Sequence, residues 1–559
     1  MKNFIKSLIV IMLIFSVAMV VVGCNETSTY QGEITIEISS AEDLQNISTQ
    51  LGADYSEATF KLTADIDLSD INWQPIGDSI TNSFTGTFDG NGYTISNLTI
   101  GDTTTSTEGV DDLETVYTAT ETSYIGLFGY SNGATFSDVT LTYEYRFSTL
   151  FDNTYVGGIV GYAYGDNSYT DIDVSGSVDA IYAMNKVYSS TTGNPTYTND
   201  GYIYIGGVVG YGVGVTTINT VTTSLKCDIL SNDLKDIADT NINTGDNKTF
   251  DRYSRFDTAM SGAVAGYIRN INISDSCTET RNTIANVTAY YTLNAEIEIS
   301  HTGAVIGSIH NGDITNVTVQ EGSVTTLDAA VRTYAGGIAG VMANSTLITA
   351  TSDMDSITVI HSESGTTLSS SATSFVAGGA VGYMSNNSLV KNTTIATDLY
   401  SGVDAIKYGG GLVGYMRDST LTDSSVTGTT YIVGSRTTVD FYTYAVNSAY
   451  TYHIGGAVGL LYGMSDASQA DNSADLSGLT VDFTAYQGIV ASVETRAEVV
   501  EGDPDENGDA TYTNYYYDPI VDNATCTYNP DVVISYGLDI PAALVPDNKI
   551  GTAVATTLE

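Results

Sequence analysis

The residues that could do chemistry in this chain are few in type and mostly acidic. Its four histidines are His301, His310, His361 and His453. A zinc peptidase of the HExxH type needs two His one helical turn apart, with Glu beside the first. None of the four is followed by Glu, and none has a second His four residues on, so that chemistry is excluded. Polysaccharide lyases and hydrolases need clustered carboxylates, often with Arg or Lys to neutralise a uronate. Asp65, Asp67 and Asp70, or Asp171 and Asp173, offer carboxylates, but with 65 Asp plus Glu no pair stands out. Only 19 Lys plus Arg are available, so a cationic cluster facing a substrate is hard to assemble. A non-enzyme is the expectation, with a polysaccharide lyase or hydrolase as the rival.

One local run has ligand spacing. Asp503, Asp505, Asn507 and Asp509 place oxygens at alternate positions, with Gly508 for a sharp turn. That is the front half of a calcium loop. The twelfth position, where a bidentate Glu belongs, holds Asn514, and no helix pattern flanks the run. Weak Ca²⁺ binding and a solvated acidic loop both remain open; no other cofactor is expected. Further on, the tyrosines of TNYYYDPIV (513–521) could pack an end of the fold or present rings to sugars.

The elements that would position these residues are set by a repeat. The phrase YGGGLVGY (408–415) has counterparts at 124–130, 155–162, 204–211, 260–267, 301–308, 334–341, 375–383 and 453–460. Their final glycines are Gly129, Gly161, Gly210, Gly266, Gly307, Gly340, Gly382, Gly414 and Gly459, spaced 32 to 56 residues apart. A short polar turn follows each phrase, then an alternating β-branched strand such as ITNVTVQ (314–320). Such a unit cannot bury its apolar face alone, but stacked copies can, so the expected fold is a solenoid. The phrase itself reads as one inner strand, apolar on both faces. Ala263 and Ala304 replace its second glycine, which points to a size limit and not to a need for positive φ. The tyrosine after the final glycine, as in Tyr162 and Tyr415, should stack on its counterpart in the next coil, with a ligand-binding ladder as the sharper alternative.

Ser40-Ala41-Glu42-Asp43 has capping-box spacing, with Leu44, Ile47 and Leu51 following at helical intervals. A short helix there would cover the open end of the sheets. Asp89-Gly90-Asn91-Gly92 is a turn signal, and 101–122 reads as a loop. The insertions Ala180–Gly201 and Lys226–Met260 are the longest and are the candidate contact loops.

The formal charge of −46 excludes nucleic acid as a partner, because no basic surface exists to neutralise phosphates. Lys2 and Lys6 precede the apolar run Leu8–Val22, the layout of a secretory signal. Val21-Val22-Gly23-Cys24 resembles a bacterial lipobox, which implies lipidation of Cys24 and a membrane partner through that anchor. Cys227 and Cys277 could pair across neighbouring repeats or act as small buried hydrophobes.

The Gly-Φ-Φ-Gly cores, such as Gly126-Leu127-Phe128-Gly129 and Gly411-Leu412-Val413-Gly414, resemble those of bacterial GLUG-motif surface proteins. Trp73-Gln74-Pro75-Ile76-Gly77 and the stretch 84–100 look like the lead-in that accompanies those repeats. The resemblance covers roughly residues 35 to 485. It implies a parallel β-helix on the cell surface and no particular reaction. The expected chain is thus all-β: signal peptide 1–23, tether 24–39, N-terminal cap and first coils 40–122, repeats 123–485 in about nine or more coils, and a C-terminal cap 486–559. The expected role is an exported, lipid-anchored adhesin or binding scaffold in the cell envelope. A host protein, a glycan or another envelope component would be its partner. Polysaccharide binding or degradation is the alternative.

Overall fold

The computed structural model describes residues 34–528 apart from 52–54, 56, 102–121, 150–152, 183–201, 234–252, 255–257, 271–280, 297–298, 328–331, 361–373, 402–407, 433–452, 463–472, 486–491, 495, 503–510, 518–519 and 523–525, together with 535–536 and 556–557. Among these residues the chain winds through three stacked sheets of 21, ten and nine strands. Nearly all neighbours in them are parallel. This is the parallel β-solenoid expected from the repeat.

One coil illustrates the rest. Asn153–Gly157 lies in the nine-stranded sheet, Val160–Tyr164 in the ten-stranded sheet and Asn167–Tyr182 in the long sheet. The next coil repeats this with Tyr202–Gly206, Val209–Val213 and Thr216–Asp233. The register is direct: Tyr155 opposes Tyr204, Tyr162 opposes Tyr211, and Val174 opposes Thr223.

The glycine phrase is therefore not one inner strand. It is two strands from two sheets joined by a sharp corner, here Gly158-Ile159. The reason is steric. A Cβ on Gly157 would lie 1.9 Å from the carbonyl oxygen of Val160, and one on Gly161 would lie 2.8 Å from that of Tyr155. Neither glycine is in the left-handed region, so absence of bulk and not positive φ is what the corner uses. The corner's backbone groups bond to the next coil: Gly158 N–H to Gly206 O at 3.2 Å and Ile159 N–H to Val208 O at 3.1 Å. Ile159, Val208, Val264, Val305, Ile338 and Leu412 fill the interior behind successive corners and are fully buried. Each such side chain contributes about 1.5–3 kcal/mol by leaving water.

The corner into the long sheet is polar. Gly165, Gly214, Asn311 and Asn344 turn the chain with positive φ. At the start of the long-sheet strands or just before them, buried Asn167, Asn282 and Ser345 accept backbone N–H groups from neighbouring coils. The donors are Ala134 N at 3.1 Å, Thr216 N at 2.9 Å and Gly312 N at 3.1 Å. Within the long sheet, Asp138, Asp171, Thr220, Asn286, Asn316 and Thr349 form a second left-handed column, with φ of 51–58°. Asn and Asp tolerate this conformation best, and Asn side chains also bond beside the column, as from Asn286 to Asn219 at 2.7 Å.

The N-terminal helix is present as Ala41–Asn46. Ser40 caps it by accepting the Asp43 N–H at 3.1 Å, while Asp43 reaches back to Ser39 N and Oγ at 3.0 and 2.9 Å. Leu44 and Ile47 are buried in the common core. Gln45 ties the helix to the lead-in through Gln74 O and N, and buried Trp73 donates to Leu127 O at 3.2 Å. At the other end, sheet pairing runs past residue 485. Ser492–Glu494 joins the ten-stranded sheet, and Ile520–Asp522 and Cys526–Tyr528 join the long one.

Candidate functional site

All nine final glycines of the phrase occupy the same place, the second residue of a strand in the ten-stranded sheet. They sit just past the corner, where a Cβ would press on the backbone of the nine-stranded sheet, as at Gly161 against Tyr155 O at 2.8 Å. Beside them runs a double column of tyrosines. Tyr130, Tyr162 and Tyr211 stack with ring centroids 4.9 and 5.2 Å apart. Across the corner, Tyr124, Tyr155 and Tyr204 stack at 5.5 and 5.2 Å. Rings of the two columns meet edge to face, as Tyr155 does with Tyr162 at 4.9 Å. The expected stacking is present. It leaves ring faces covered by the neighbouring rung, with edges toward the surface. Burial, followed by the neighbouring phenols, pushes the hydroxyls of Tyr130 and Tyr155 well above the ordinary phenol range.

The ladder changes character where His301, Ser308 and Val341 replace tyrosines. His301 packs edge to face on Tyr334 at 5.1 Å, and its Nδ1 is sealed without a hydrogen-bond partner. Burial, with His310 and Arg332 nearby, depresses its pKa to about 3, so it is a neutral packing residue. Arg269 lies over the Tyr211 ring at 5.8 Å, a cation–π contact.

The carboxylates singled out by sequence are engaged in turns. Asp65 accepts from Thr94 N at 2.9 Å, and Asp67 accepts from Ser69 N at 3.0 Å and Asn97 Nδ2 at 2.9 Å. The Asn97 hydrogen bond is the main cause of a lowered Asp67 pKa. Asp171 is one of the left-handed bend residues, and Asp173 points to solvent. Among the described residues no group of three or more His, Cys, Asp or Glu could hold a metal. Asp503, Asp505, Asn507 and Asp509 lie outside the described residues, but Gly502 and Thr511 on either side pair as the ends of an antiparallel hairpin. Cys24 and Cys277 also lie outside them. Cys227 is buried and free, in line between Val178 and Leu293.

A different kind of feature appears where the long sheet hands the chain to the nine-stranded sheet. The glycine corner always takes two residues, such as Gly207-Val208, Ala263-Val264 or Gly379-Ala380. The connection back from the long sheet varies widely. It is 297–298 in one coil, 328–331 in the next, then 361–373, and it reaches 183–201 and 433–452 elsewhere. Two further insertions, 271–280 and 463–472, enter at the corner before the long sheet. Both candidate contact loops start and finish at the variable edge, though most of their residues lie outside the described ones. A charged cluster stands beside this edge. Asp179 opposes Asp228 directly, Lys226 pairs with Asp228 at 3.0 Å, and Asn294 donates to Asp228 at 2.8 Å. Burial and then Asp228 raise the Asp179 pKa.

This variable edge was only partly legible, because lengths between phrases cannot say on which side of a coil an insertion emerges. The left-handed column was missed. Its signal is the recurring Asn/Asp-Φ-Thr of DVT, NVT and NVT at 138–140, 286–288 and 316–318.

No family model matches the chain. An alignment 165 residues long, covering 25% of the chain, is 33% identical to halomucin of Haloquadratum walsbyi. The chain spans only 2% of the length of that relative. A solved structure from Bacteroides ovatus, described as a candidate immunoglobulin A1 protease, aligns over 75% of this chain and 84% of its own, at 14% identity and a TM-score of 0.27.

Proposed function

We propose that this chain is a non-enzymatic binding scaffold of the GLUG-motif type, displayed on the cell surface and anchored through a lipid on Cys24. The observation that carries the reading is the division of each coil into constant and variable parts. The glycine corner keeps its length in coil after coil, while the return connection to the nine-stranded sheet ranges from 297–298 to 433–452. A rigid stack that varies mainly along one edge is how loops are presented for recognition. The lipid anchor rests on the Val-Val-Gly-Cys sequence at 21–24.

The test uses the full chain, labelled and applied to an array of surface glycans and purified host-surface proteins. Binding that is lost when 183–201 and 234–252 are replaced by two-residue connectors supports the reading. Binding that survives those replacements but falls with Tyr155→Ala and Tyr204→Ala would move the site to the aromatic corner and favour the polysaccharide reading. New reducing ends or unsaturated products from acidic polysaccharides would overturn the non-enzymatic reading. For the anchor, Cys24→Ser should abolish incorporation of labelled fatty acid.

A further inference from the structure

The outer face of the long sheet carries a column of threonines away from the variable edge. Thr222, Thr288, Thr318, Thr351 and Thr394 come from five successive coils, each directly opposite the next. Their chain neighbours Val221, Val287, Val317 and Ala350 are buried, so the threonines alternate to the outside, where they are half-buried or exposed. In-register strands fix the rung spacing at about 4.7–4.9 Å, which makes a straight row roughly 20 Å long. Thr351 Oγ1 donates to Thr318 Oγ1 at 3.4 Å, and Ser425 Oγ donates to Thr394 Oγ1 at 3.2 Å, so hydroxyls are aligned along the row.

A second row lies two residues earlier in each strand: Thr220, Asn286, Asn316, Thr349 and Asn392, all held at positive φ. Asn316 donates to Asn286 along the column, and Asn286 to Asn219 beside it. In a chain of net charge −46, the ten residues of these two rows carry no charge. On one side the equivalent positions are Asp171 and Asp173; on the other Asp423 ends the second row, while Ser425 and Thr480 carry the hydroxyl row two coils further.

We propose that this two-row face binds the surface of an ice crystal. A row of identical hydroxyl and methyl groups, locked to the backbone repeat, has only one kind of information to offer, a period. A hydroxyl that accepts from its neighbour keeps its own proton to donate outward, and one that donates to its neighbour keeps its lone pairs to accept. The methyl groups beside it favour ordered water over bulk contact. A protein or charged glycan would call for charges or aromatic anchors at the centre of the patch, and the two rows hold neither. A water lattice needs no charge, both donates and accepts at every point, and has an oxygen repeat close to the strand spacing. This face is distinct from the variable edge, so the proposal stands apart from the binding role above.

The test is microscopy of single ice crystals in the presence of the purified full chain, with the freezing–melting gap measured in the same droplets. The expected result is faceted crystals and a resolved gap. Both should be lost in the Thr318→Tyr/Thr351→Tyr double variant and in Thr351→Lys, and kept in Thr358→Tyr, which lies on the same sheet outside both rows. Far-UV circular dichroism checks that each variant is folded, and Thr351 is exposed, so its replacement leaves the core packing in place. Round crystals with no gap for the unaltered chain would overturn the proposal. So would faceting that is equal in Thr351→Lys, or capture by insoluble cellulose while ice grows unhindered.

Discussion

Tyr155 stacks on Tyr204 of the next coil with ring centroids 5.2 Å apart and planes 10° apart, while both rings meet Tyr211 edge to face. Stacking along each column and edge contacts between columns link three coils outside the hydrocarbon core. A double-mutant cycle on Tyr155→Ala and Tyr204→Ala, read from urea midpoints, should give a coupling of about 0.5–1.5 kcal/mol. Phenol absorbance should also show these hydroxyls ionising well above pH 10, since burial is the first cause of their raised pKa values. A titration in which every tyrosine ionises near pH 10 would contradict the packing.

Both glycines of a Gly-Gly corner should resist substitution. The first, Gly157 and its equivalents, is glycine in every coil, and its added Cβ would strike the carbonyl of Val160. The second is alanine in two coils, Ala263 and Ala304. Gly157→Ala and Gly207→Ala should each cost about 1–3 kcal/mol, since a Cβ on Gly207 would lie 2.1 Å from the carbonyl oxygen of Ala263 in the next coil. A urea midpoint unchanged in either variant would refute the steric account.

Asp179 and Asp228 face each other as like charges on adjacent strands. The folded pKa of Asp179 is raised, by burial first and then by Asp228, with Lys226 and Arg146 opposing. A carboxyl with a raised folded pKa binds protons more tightly folded than unfolded, so its destabilising contribution is present at neutral pH and relieved on acidification. Asp179→Asn should stabilise the chain at pH 7 by about 0.2–1 kcal/mol, and the gain should vanish toward pH 4. Destabilisation at pH 7 would mean that the carboxylate is better satisfied than this geometry allows.

His301 gives the opposite slope. Its folded pKa, about 3, lies below the ordinary 6.5, so the unfolded chain binds the extra proton between those values. Stability from this group is full above pH 6.5 and falls as the pH drops toward 3. His301→Tyr restores the tyrosine found one coil later at Tyr334. That variant should lose less stability than the unaltered chain between pH 6.5 and 4, as thermal unfolding would show. Parallel curves would remove the histidine from the account.

Much of this architecture could be read from the sequence because repetition exposes it. Nine copies of one phrase gave the solenoid, and Ser40 with Asp43 gave the capping helix, since both rest on fixed local spacing. The division of the phrase between two sheets was hidden. Gly-Gly-Φ fits a strand closely covered on both sides as well as a sharp corner, and only the clash at Gly157 decides between them. The row from Thr222 to Thr394 was hidden for another reason. A threonine in a strand means little until register places it against another threonine, and pairing between coils is a property of the stack. The variable edge lay in between: insert lengths were visible around Ala180–Gly201, but the side of the coil they leave from was not.

The most direct test of the central claim is binding by a chain whose variable edge has been shortened while its stack is intact. With 183–201 and 234–252 each replaced by a two-residue connector of the kind found at 297–298, circular dichroism and the urea midpoint should stay near those of the unaltered chain. Binding to the array partner should fall at least tenfold. Retention of full affinity by this folded, shortened chain would contradict the account and place recognition on the constant faces of the coils.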